Sequence, residues 1–222
     1  MGYANFGKDY DFREKVRELL RGREGAGPIR GDASNGANRK LQIGVMGSAA
    51  DLAYSDNIAK LAEQIGKYVA LAGAVLMFGA EKDYDSLSTA ACRGAKKVGG
   101  LTIGVTYGKG LDDVYEKENA DIIIASGMER GGGRELALVL SCDAIICISG
   151  GSGTLTEIAI AYQANIPIVV LRDTGGWSEK LADQYLDARK RVQIEAVKTA
   201  KEAVLKAIEL NCWKWLTGGL EH

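Results

Sequence analysis

The sequence predicts an α/β protein with a Rossmann-like, doubly wound, mainly parallel sheet of six to seven strands and helices on both faces. Short apolar runs alternate with amphipathic segments from Leu41 onward. The runs are apolar throughout, which is typical of parallel strands that helices cover on both sides. Because strand and helix patterns follow each other repeatedly, the doubly wound arrangement is the expected one.

The apolar and amphipathic patterns place candidate elements along the whole chain. The candidate strands are Leu41–Met46, Ala74–Phe78, Leu101–Val105, Asp121–Ala125, Ala144–Ile148, Ile168–Leu171 and Val192–Ile194. Helices are expected over residues 9–23, 56–72, 86–97, 134–141, 154–164, 179–190 and 200–210. Ser55 is expected to cap the helix that follows it, and Thr199 with Glu202 to form a capping box at the last helix.

The chain length favours a single folded domain. With 222 residues, of which 46% are hydrophobic, one sizeable core fits, but two full domains do not. We expect an N-terminal amphipathic helix and flexible linker over 1–40, one Rossmann-like nucleotide-binding domain over 41–212, and a tail over 213–222. The tail ends in Leu-Glu-His, which matches the first residues of a purification tag. The helix carries its apolar residues on one stripe, and the sequence leaves open whether it docks on the body or on a partner subunit.

Composition excludes several classes of function. The chain has 28 Lys and Arg against 29 Asp and Glu, so it lacks the basic field that holds nucleic acid. It shows neither a long apolar span nor a signal peptide, which predicts a cytoplasmic protein without a membrane partner. The only histidine is His222, which excludes Ser-His-Asp catalysis and histidine-bearing metal sites. The four cysteines are expected to be reduced and mostly buried.

A glycine-rich loop over 148–157, between a predicted strand and a helix, is the strongest candidate site. Glycines let the backbone approach a ligand, and the N–H groups of a first helical turn attract an anion. The alternatives are a tight turn that binds nothing and a Glu157 that only caps the helix. The ligand-binding candidates in this loop are Gly150, Gly151, Ser152, Gly153, Thr154 and Glu157.

Further candidate ligand-binding residues lie in two other loops that follow strands and at the end of the second strand. In the segment 126–135, arginines separated by glycines suit a phosphate or carboxylate, although a flexible surface loop with solvated charges is an equally good interpretation. The loop after the first strand suits a phosphate or ribose contact. The candidates outside the glycine-rich loop are Gly47, Ser48, Gly79, Met128, Arg130 and Arg134.

Three motifs carry a family resemblance: M-E-R-G-G-G-R-E (128–135), S-C-D-A-I-I-C-I (141–148) and S-G-G-S-G-T-L-T-E (149–157). They resemble the LONELY GUY family of cytokinin phosphoribohydrolases, often labelled lysine decarboxylases. The family signature is P-G-G-x-G-T-x-x-E, preceded by an Arg-Lys pair, and Arg134 stands sixteen residues before Gly150 as that pattern requires. The resemblance implies that Arg134 and Glu157 match the family's catalytic arginine and glutamate.

Other segments are closer to a sister branch of this superfamily, which includes molybdenum-cofactor carrier proteins. They are I-G-V-M-G-S (43–48) and A-C-R-G-A-K-K-V-G-G-L-T-I-G-V (91–105). The resemblance covers residues 41–172 and implies a homo-oligomer, either a dimer or a tetramer.

The chain departs from the LONELY GUY pattern at three places. Ser149 replaces the proline, and Glu135 replaces the lysine of the Arg-Lys pair, which removes a cation from the expected phosphate site. The segment 78–85 is acidic and carries Glu81, Asp83 and Asp85 where the family has glycines. A solvated acidic loop is the favoured interpretation of this segment, ahead of a divalent-ion site, and no metal is predicted.

The resemblance and these departures leave three functions open. The first is a binding or carrier protein for a phosphorylated, nucleotide-like or pterin-cofactor ligand, with a nucleotide monophosphate or the molybdenum cofactor as the bound molecule and no required cofactor. The second is a nucleoside 5′-monophosphate phosphoribohydrolase that uses Arg134 and Glu157. The third is a structural subunit with a vestigial pocket. Lysine decarboxylation is rejected, because the sequence supplies neither a Schiff-base lysine nor the large cofactor fold.

Overall fold

The protein is described by a computed structural model over residues 4–24, 39–49, 52–82, 84–108, 114–129 and 133–216. Its strands are β1 (Gln42–Gly47), β2 (Val75–Gly79), β3 (Thr102–Thr106), β4 (Ile122–Ala125), β5 (Ala144–Ile148), β6 (Ile168–Leu171) and β7 (Ile194–Val197). Its helices are α1 (Ala4–Glu24), α2 (Asp56–Leu71), α3 (Leu87–Lys96), α4 (Arg134–Leu140), α5 (Ser152–Gln163), α6 (Gly176–Lys180) and α7 (Ala200–Leu216). Residues 25–38, within the linker predicted over 22–40, and residues 217–222 of the predicted tail lie outside the described residues.

The strands form one parallel sheet in the order β4-β3-β2-β1-β5-β6-β7. The chain first winds from β1 towards β4 and then returns to the other side of β1, so the order reverses between β1 and β5. This is the doubly wound, Rossmann-like fold that the sequence predicts. Ligands of such sheets bind beyond the carboxyl ends of the strands at that reversal.

Helices on both faces of the sheet cover separate parts of the core. Alternate residues of β5 point to opposite faces, as the pleat requires. Ile146 and Ile148 pack with α1, α2, α3 and α7, whereas Ile145 and Cys147 pack with α4 and α5. The central strands are therefore apolar throughout because helices cover both faces of the sheet, as predicted.

The edge strand β4 departs from this expectation. Within the described part of the chain, Ile122 is 46% exposed and Ile124 is 44% exposed. An apolar run predicts a strand, but it does not distinguish a central strand from one at the edge of the sheet.

The N-terminal helix α1 docks on the body of its own chain. Phe12 is fully buried, and its ring centroid lies 4.8 Å from that of Tyr68 on α2. Ion pairs join Asp9 to Lys67 at 3.0 Å and Asp11 to Lys201 at 2.9 Å. The stripe predicted from Phe12, Val16, Leu19 and Leu20 is the face that packs against the core.

Both predicted helix caps are present. The backbone N–H of Ile58 donates to Ser55 Oγ at 3.4 Å. At the start of α7, Glu202 N–H donates to Thr199 Oγ1 at 3.2 Å, and Thr199 N–H donates to Glu202 Oε2 at 3.0 Å.

The predicted helix over 179–190 is wrong. The chain forms only the short α6 and then continues in turns, with Asp183 in the left-handed region at φ 59°. Asp183 N–H donates to Ile194 O, and Ile194 N–H donates to Gln184 O, so this segment pairs with the start of β7. Long-range bonds therefore override the helical spacing, and the last strand begins at Ile194 instead of Val192.

Two further expectations concern burial and membranes. All four cysteines are free and buried, as predicted. Among the described helices, none combines the length and the apolar character that a membrane span requires.

The docking of α1 is tested by Phe12→Ala. Removing a fully buried phenylalanine is expected to lower the free energy of unfolding by about 3–5 kcal/mol, because a cavity remains. Tyr10, which is 66% exposed on the same helix, is the control, and Tyr10→Ala is expected to change that free energy by less than about 0.5 kcal/mol. Urea denaturation measures both variants, and equal stability of the two would contradict the docking.

Candidate functional site

A cavity of about 290 Å³ lies beyond the carboxyl ends of the central strands. Gly47 ends β1 and Gly79 ends β2, while α5 begins directly after the turn that follows β5. The sequence-predicted residues that line the cavity are Gly47, Ser48, Gly79, Arg134, Gly151, Ser152, Gly153, Thr154 and Glu157. The fold thus brings together residues from four separate strand-to-helix connections.

Of the other three predicted residues, Met128 and Gly150 are not part of this lining. Arg130 lies outside the described residues. Met128 is 39% exposed and does not line the cavity. Gly150 has φ 102°, and a Cβ there would be 2.5 Å from Thr154 Cβ, so the turn needs glycine at this position.

The turn after β5 is held by hydrogen bonds that sequence analysis missed. Gly150 N–H donates to Ser48 Oγ at 2.9 Å, and the hydroxyl of Ser48 donates to Ser149 Oγ at 3.2 Å. Ser149 N–H donates to Thr174 Oγ1 at 2.9 Å. The N–H of Gly150, predicted to bind ligand, is therefore used within the protein.

Ser149 explains one departure from the LONELY GUY pattern. Its φ is 55°, in the left-handed region, whereas a proline ring fixes φ near −65°. A proline would also lack the N–H that Ser149 donates to Thr174. The turn in this chain therefore requires a residue other than proline at position 149.

The first turn of α5 presents backbone N–H groups to the cavity. The helix begins at Ser152, two residues before the predicted start, and its N-cap Gly151 supplies no side-chain cap. The first N–H groups of a helix have no partner within it, and here Ser152, Gly153 and Thr154 line the cavity. A Cβ at Gly153 would meet no atom within 4 Å, so there is open space in front of this turn.

Arg134 is buried at the start of α4, and its guanidinium is held among acidic and aromatic groups. The Arg134 Cζ atom lies 4.4 Å from the centroid of the Tyr107 ring, and Nη2 donates to Glu81 Oε1 at 3.1 Å and to Tyr107 Oη. A Cβ at Gly79 would be 1.8 Å from Arg134 Nη1, so Gly79 makes room for the guanidinium. Burial acts to lower the pKa of Arg134, but the neighbouring acidic groups, with Glu157 first, raise it above its ordinary value.

Two more carboxyl groups face the same guanidinium. Glu135 Oε1 lies 3.6 Å from Arg134 Nη2, and both side chains are buried. Glu157, which is 6% exposed, has its pKa raised to about 8, because burial disfavours its charged form more than Arg134 favours it. Glu135 and Glu81 raise this pKa further. Near neutral pH, Glu157 therefore holds a proton that it can donate.

In the acidic segment 78–85, Glu81 and Asp85 are paired with protein groups. Glu81 bonds to Arg134, whereas Asp85 Oδ1 accepts from Arg93 Nη1 at 2.9 Å and from Ser86 N–H at 2.7 Å. The two carboxylates thus bind different cations of the protein, and the interpretation of Glu81 and Asp85 as solvated charges is wrong. Asp83, the third member of the ion site that was considered, lies outside the described residues.

Tyr107 is a lining residue that sequence analysis did not single out. It follows β3 directly, at the same edge of the sheet as the other candidates. Its position after a predicted strand was the available signal, because carboxyl ends of parallel strands meet at one edge.

A model of the SLOG cluster4 family matches residues 40–204. The chain belongs to the SLOG cluster4 family. An uncharacterized protein of Archaeoglobus fulgidus is 33% identical over 132 residues, which are 60% of this chain and 80% of that protein. This family lies within the LONELY GUY-like superfamily, so the resemblance predicted from the motifs is confirmed.

Solved structures similar to this SLOG cluster4 protein include two whose names refer to the molybdenum cofactor. The molybdenum cofactor binding protein of Rippkaea orientalis is 29% identical, with a TM-score of 0.62 over 83% of this chain and 100% of that one. The molybdenum cofactor carrier protein of Chlamydomonas reinhardtii is 27% identical, with a TM-score of 0.65 over 79% of this chain and 100% of that one. This agrees with the sister branch that the segments 43–48 and 91–105 indicate.

The buried acid of this SLOG cluster4 protein predicts a pH dependence of stability. Since the pKa of Glu157 is raised to about 8 in the folded state, the unfolded chain binds fewer protons between about pH 4.5 and pH 8. Rising pH therefore lowers the free energy of unfolding in this window, by up to about 1.4 kcal/mol per pH unit. Glu157→Gln cannot ionise and should lose this part of the decline. Urea denaturation across the window measures it, and parallel curves for variant and wild type would contradict the raised pKa.

Proposed function

We propose that this SLOG cluster4 protein binds and carries a small phosphorylated, nucleotide-like ligand, with the phosphate at the first turn of α5. The observation that carries the proposal is the uncapped start of α5 at Ser152, Gly153 and Thr154, open to the cavity. The names of the two similar structures, one a binding protein and one a carrier of the molybdenum cofactor, support a carrier role.

The start of α5 suits an anion for two physical reasons. Unpaired N–H groups point out of the first turn, and the helix dipole adds a partial positive charge there. Gly153 has no side chain, and a Cβ there would meet no atom within 4 Å, so a phosphate can approach the backbone closely at this residue. Thr154, also in this turn, can add a hydroxyl donor.

Arg134 is not the anion site in this proposal. Glu81, Glu135 and Glu157 all face its guanidinium. A phosphate placed beside Arg134 would be repelled by Glu81 and Glu135, whereas Glu157 is protonated. This repulsion would offset the attraction of the single cation. The non-phosphate part of the ligand therefore faces Arg134.

The phosphate site is tested by Gly153→Leu. The new side chain meets open space in the protein but fills the front of the α5 turn. Leucine favours a helix over glycine by up to about 1 kcal/mol, so stability without ligand should not fall. Ribose 5-phosphate at one hundred times its dissociation constant should stabilise the wild type by about 2.7 kcal/mol and the variant not at all. Thermal unfolding measures both effects.

Gln163→Leu is the matched control, since it places the same side chain on the exposed end of α5, away from the cavity lining. This variant should keep the full stabilisation by ribose 5-phosphate. Equal stabilisation of Gly153→Leu and wild type would place the anion elsewhere and contradict the proposal.

A second candidate function is the phosphoribohydrolase, and the environment of Glu157 favours it. Its pKa of about 8 lets the buried side chain hold a proton near neutral pH, as a general acid must when it protonates a leaving base. Arg134 beside it would orient the nucleoside 5′-monophosphate. The same proton can instead serve as a hydrogen-bond donor to a ligand that is only carried.

Glu157→Gln separates the two functions. For a carrier, the wild type should release no ribose 5-phosphate from AMP or GMP, and the variant should bind its ligand more weakly by about 1–3 kcal/mol. Release is followed chemically and affinity by calorimetry, on the same preparations. Release by the wild type that disappears in the variant at unchanged affinity would establish the hydrolase instead.

A further inference from the structure

Buried polar atoms on two successive residues lack hydrogen-bond partners. Among the described residues, no partner is found for Arg134 Nε and Nη1 or for Glu135 Oε2. Both residues line the cavity, and both are at least 95% buried. An unsatisfied buried donor or acceptor costs about 1–3 kcal/mol, so a ligand that pairs these atoms removes that cost. Because the three atoms are closed to solvent, the two side chains must turn towards the cavity when the ligand binds.

The arrangement defines what such a ligand must offer. The guanidinium nitrogens can only donate, and the Glu135 carboxylate can only accept. A complementary group therefore presents an acceptor next to one or more donors. Glu135 stands where the LONELY GUY family has lysine, so this acceptor distinguishes the chain from the pattern that it resembles.

We propose that Glu135 selects a ligand ring with a 2-amino-4-oxopyrimidine edge, the chemistry that guanine nucleotides and pterins share. The ring carbonyl accepts from Arg134, while the adjacent ring N–H and amino group donate to the Glu135 carboxylate. An adenine ring has a nitrogen acceptor at the position where this edge has an N–H. That nitrogen would face the Glu135 carboxylate, which is also an acceptor, so no hydrogen bond could form between them. The inference rests on the proposed phosphate site, since the start of α5 lines the same cavity.

Calorimetry on the full chain at pH 7 tests the ring selectivity. GMP and 6-hydroxymethylpterin phosphate should each bind at least tenfold more tightly than AMP. IMP, which keeps the ring N–H but lacks the amino group, should lie between GMP and AMP. Whichever of GMP and 6-hydroxymethylpterin phosphate binds more tightly shows whether the ring is a guanine or a pterin. Either ranking of these two supports recognition of the edge that they share.

The role of Glu135 is tested by Glu135→Gln, which keeps the size of the side chain but turns one acceptor into a donor. The preference for GMP over AMP should fall below threefold. Glu209→Gln, on α7 and away from the cavity lining, should keep the wild-type preference. If Glu135→Gln does not fold, the ranking of the four ligands on wild type decides alone.

Ribose 5-phosphate, which has no ring base, separates failure of this inference from failure of the proposed function. If it binds but GMP and AMP bind equally well, the ring selectivity is wrong and the phosphate site stands. If neither it nor any of the four ligands binds, both are wrong. An unchanged preference for GMP in folded Glu135→Gln would overturn the assignment to Glu135.

Discussion

The parallel pairing of β1 with β5 is the constraint on which the candidate site depends. The register places Gly47 beside Ile148, so the loops that follow the two strands begin side by side. Ser48 can then accept from Gly150 N–H, which fixes the turn that leads into α5. Because α5 starts directly after this turn with no side-chain cap, its first N–H groups face the cavity. The anion site that we propose at the start of α5 is thus a consequence of strand order and register.

The buried charge of Arg134 determines the character of the other end of the cavity. Its guanidinium packs on Tyr107, bonds to Glu81 and faces Glu135 and Glu157. In the LONELY GUY pattern a lysine follows this arginine, and two cations together suit an anion. Here an acid follows it, so the local charge turns from positive to negative, and this charge adds to the burial that chiefly raises the pKa of Glu157. In the proposed ligand site, the start of α5 therefore attracts an anion, and the surroundings of Arg134 attract hydrogen-bond donors.

The sequence predicted the fold and most of the cavity lining because both depend on local patterns. Apolar runs located β5 to the residue, and glycines after a strand located the start of α5 to within two residues. The helix over 179–190 failed because Asp183 and its neighbours bond across to β7, which periodicity does not record. Glu135 was noted only as a lost cation, since its unpaired oxygen depends on the packing of α4 in three dimensions. Tyr107 was missed because a lone tyrosine after a strand carries no motif.

The proposed binding of the ligand phosphate at the first turn of α5 can be observed residue by residue by NMR. Uniformly ¹⁵N-labelled protein is titrated with ribose 5-phosphate, and the backbone amide signals are followed to saturation. The largest saturable shifts should belong to Ser152, Gly153 and Thr154, because their N–H groups gain a charged acceptor. Saturable shifts centred on the start of α3 at Leu87, with these three amides unchanged, would contradict this phosphate site, and so would the absence of any saturable shift.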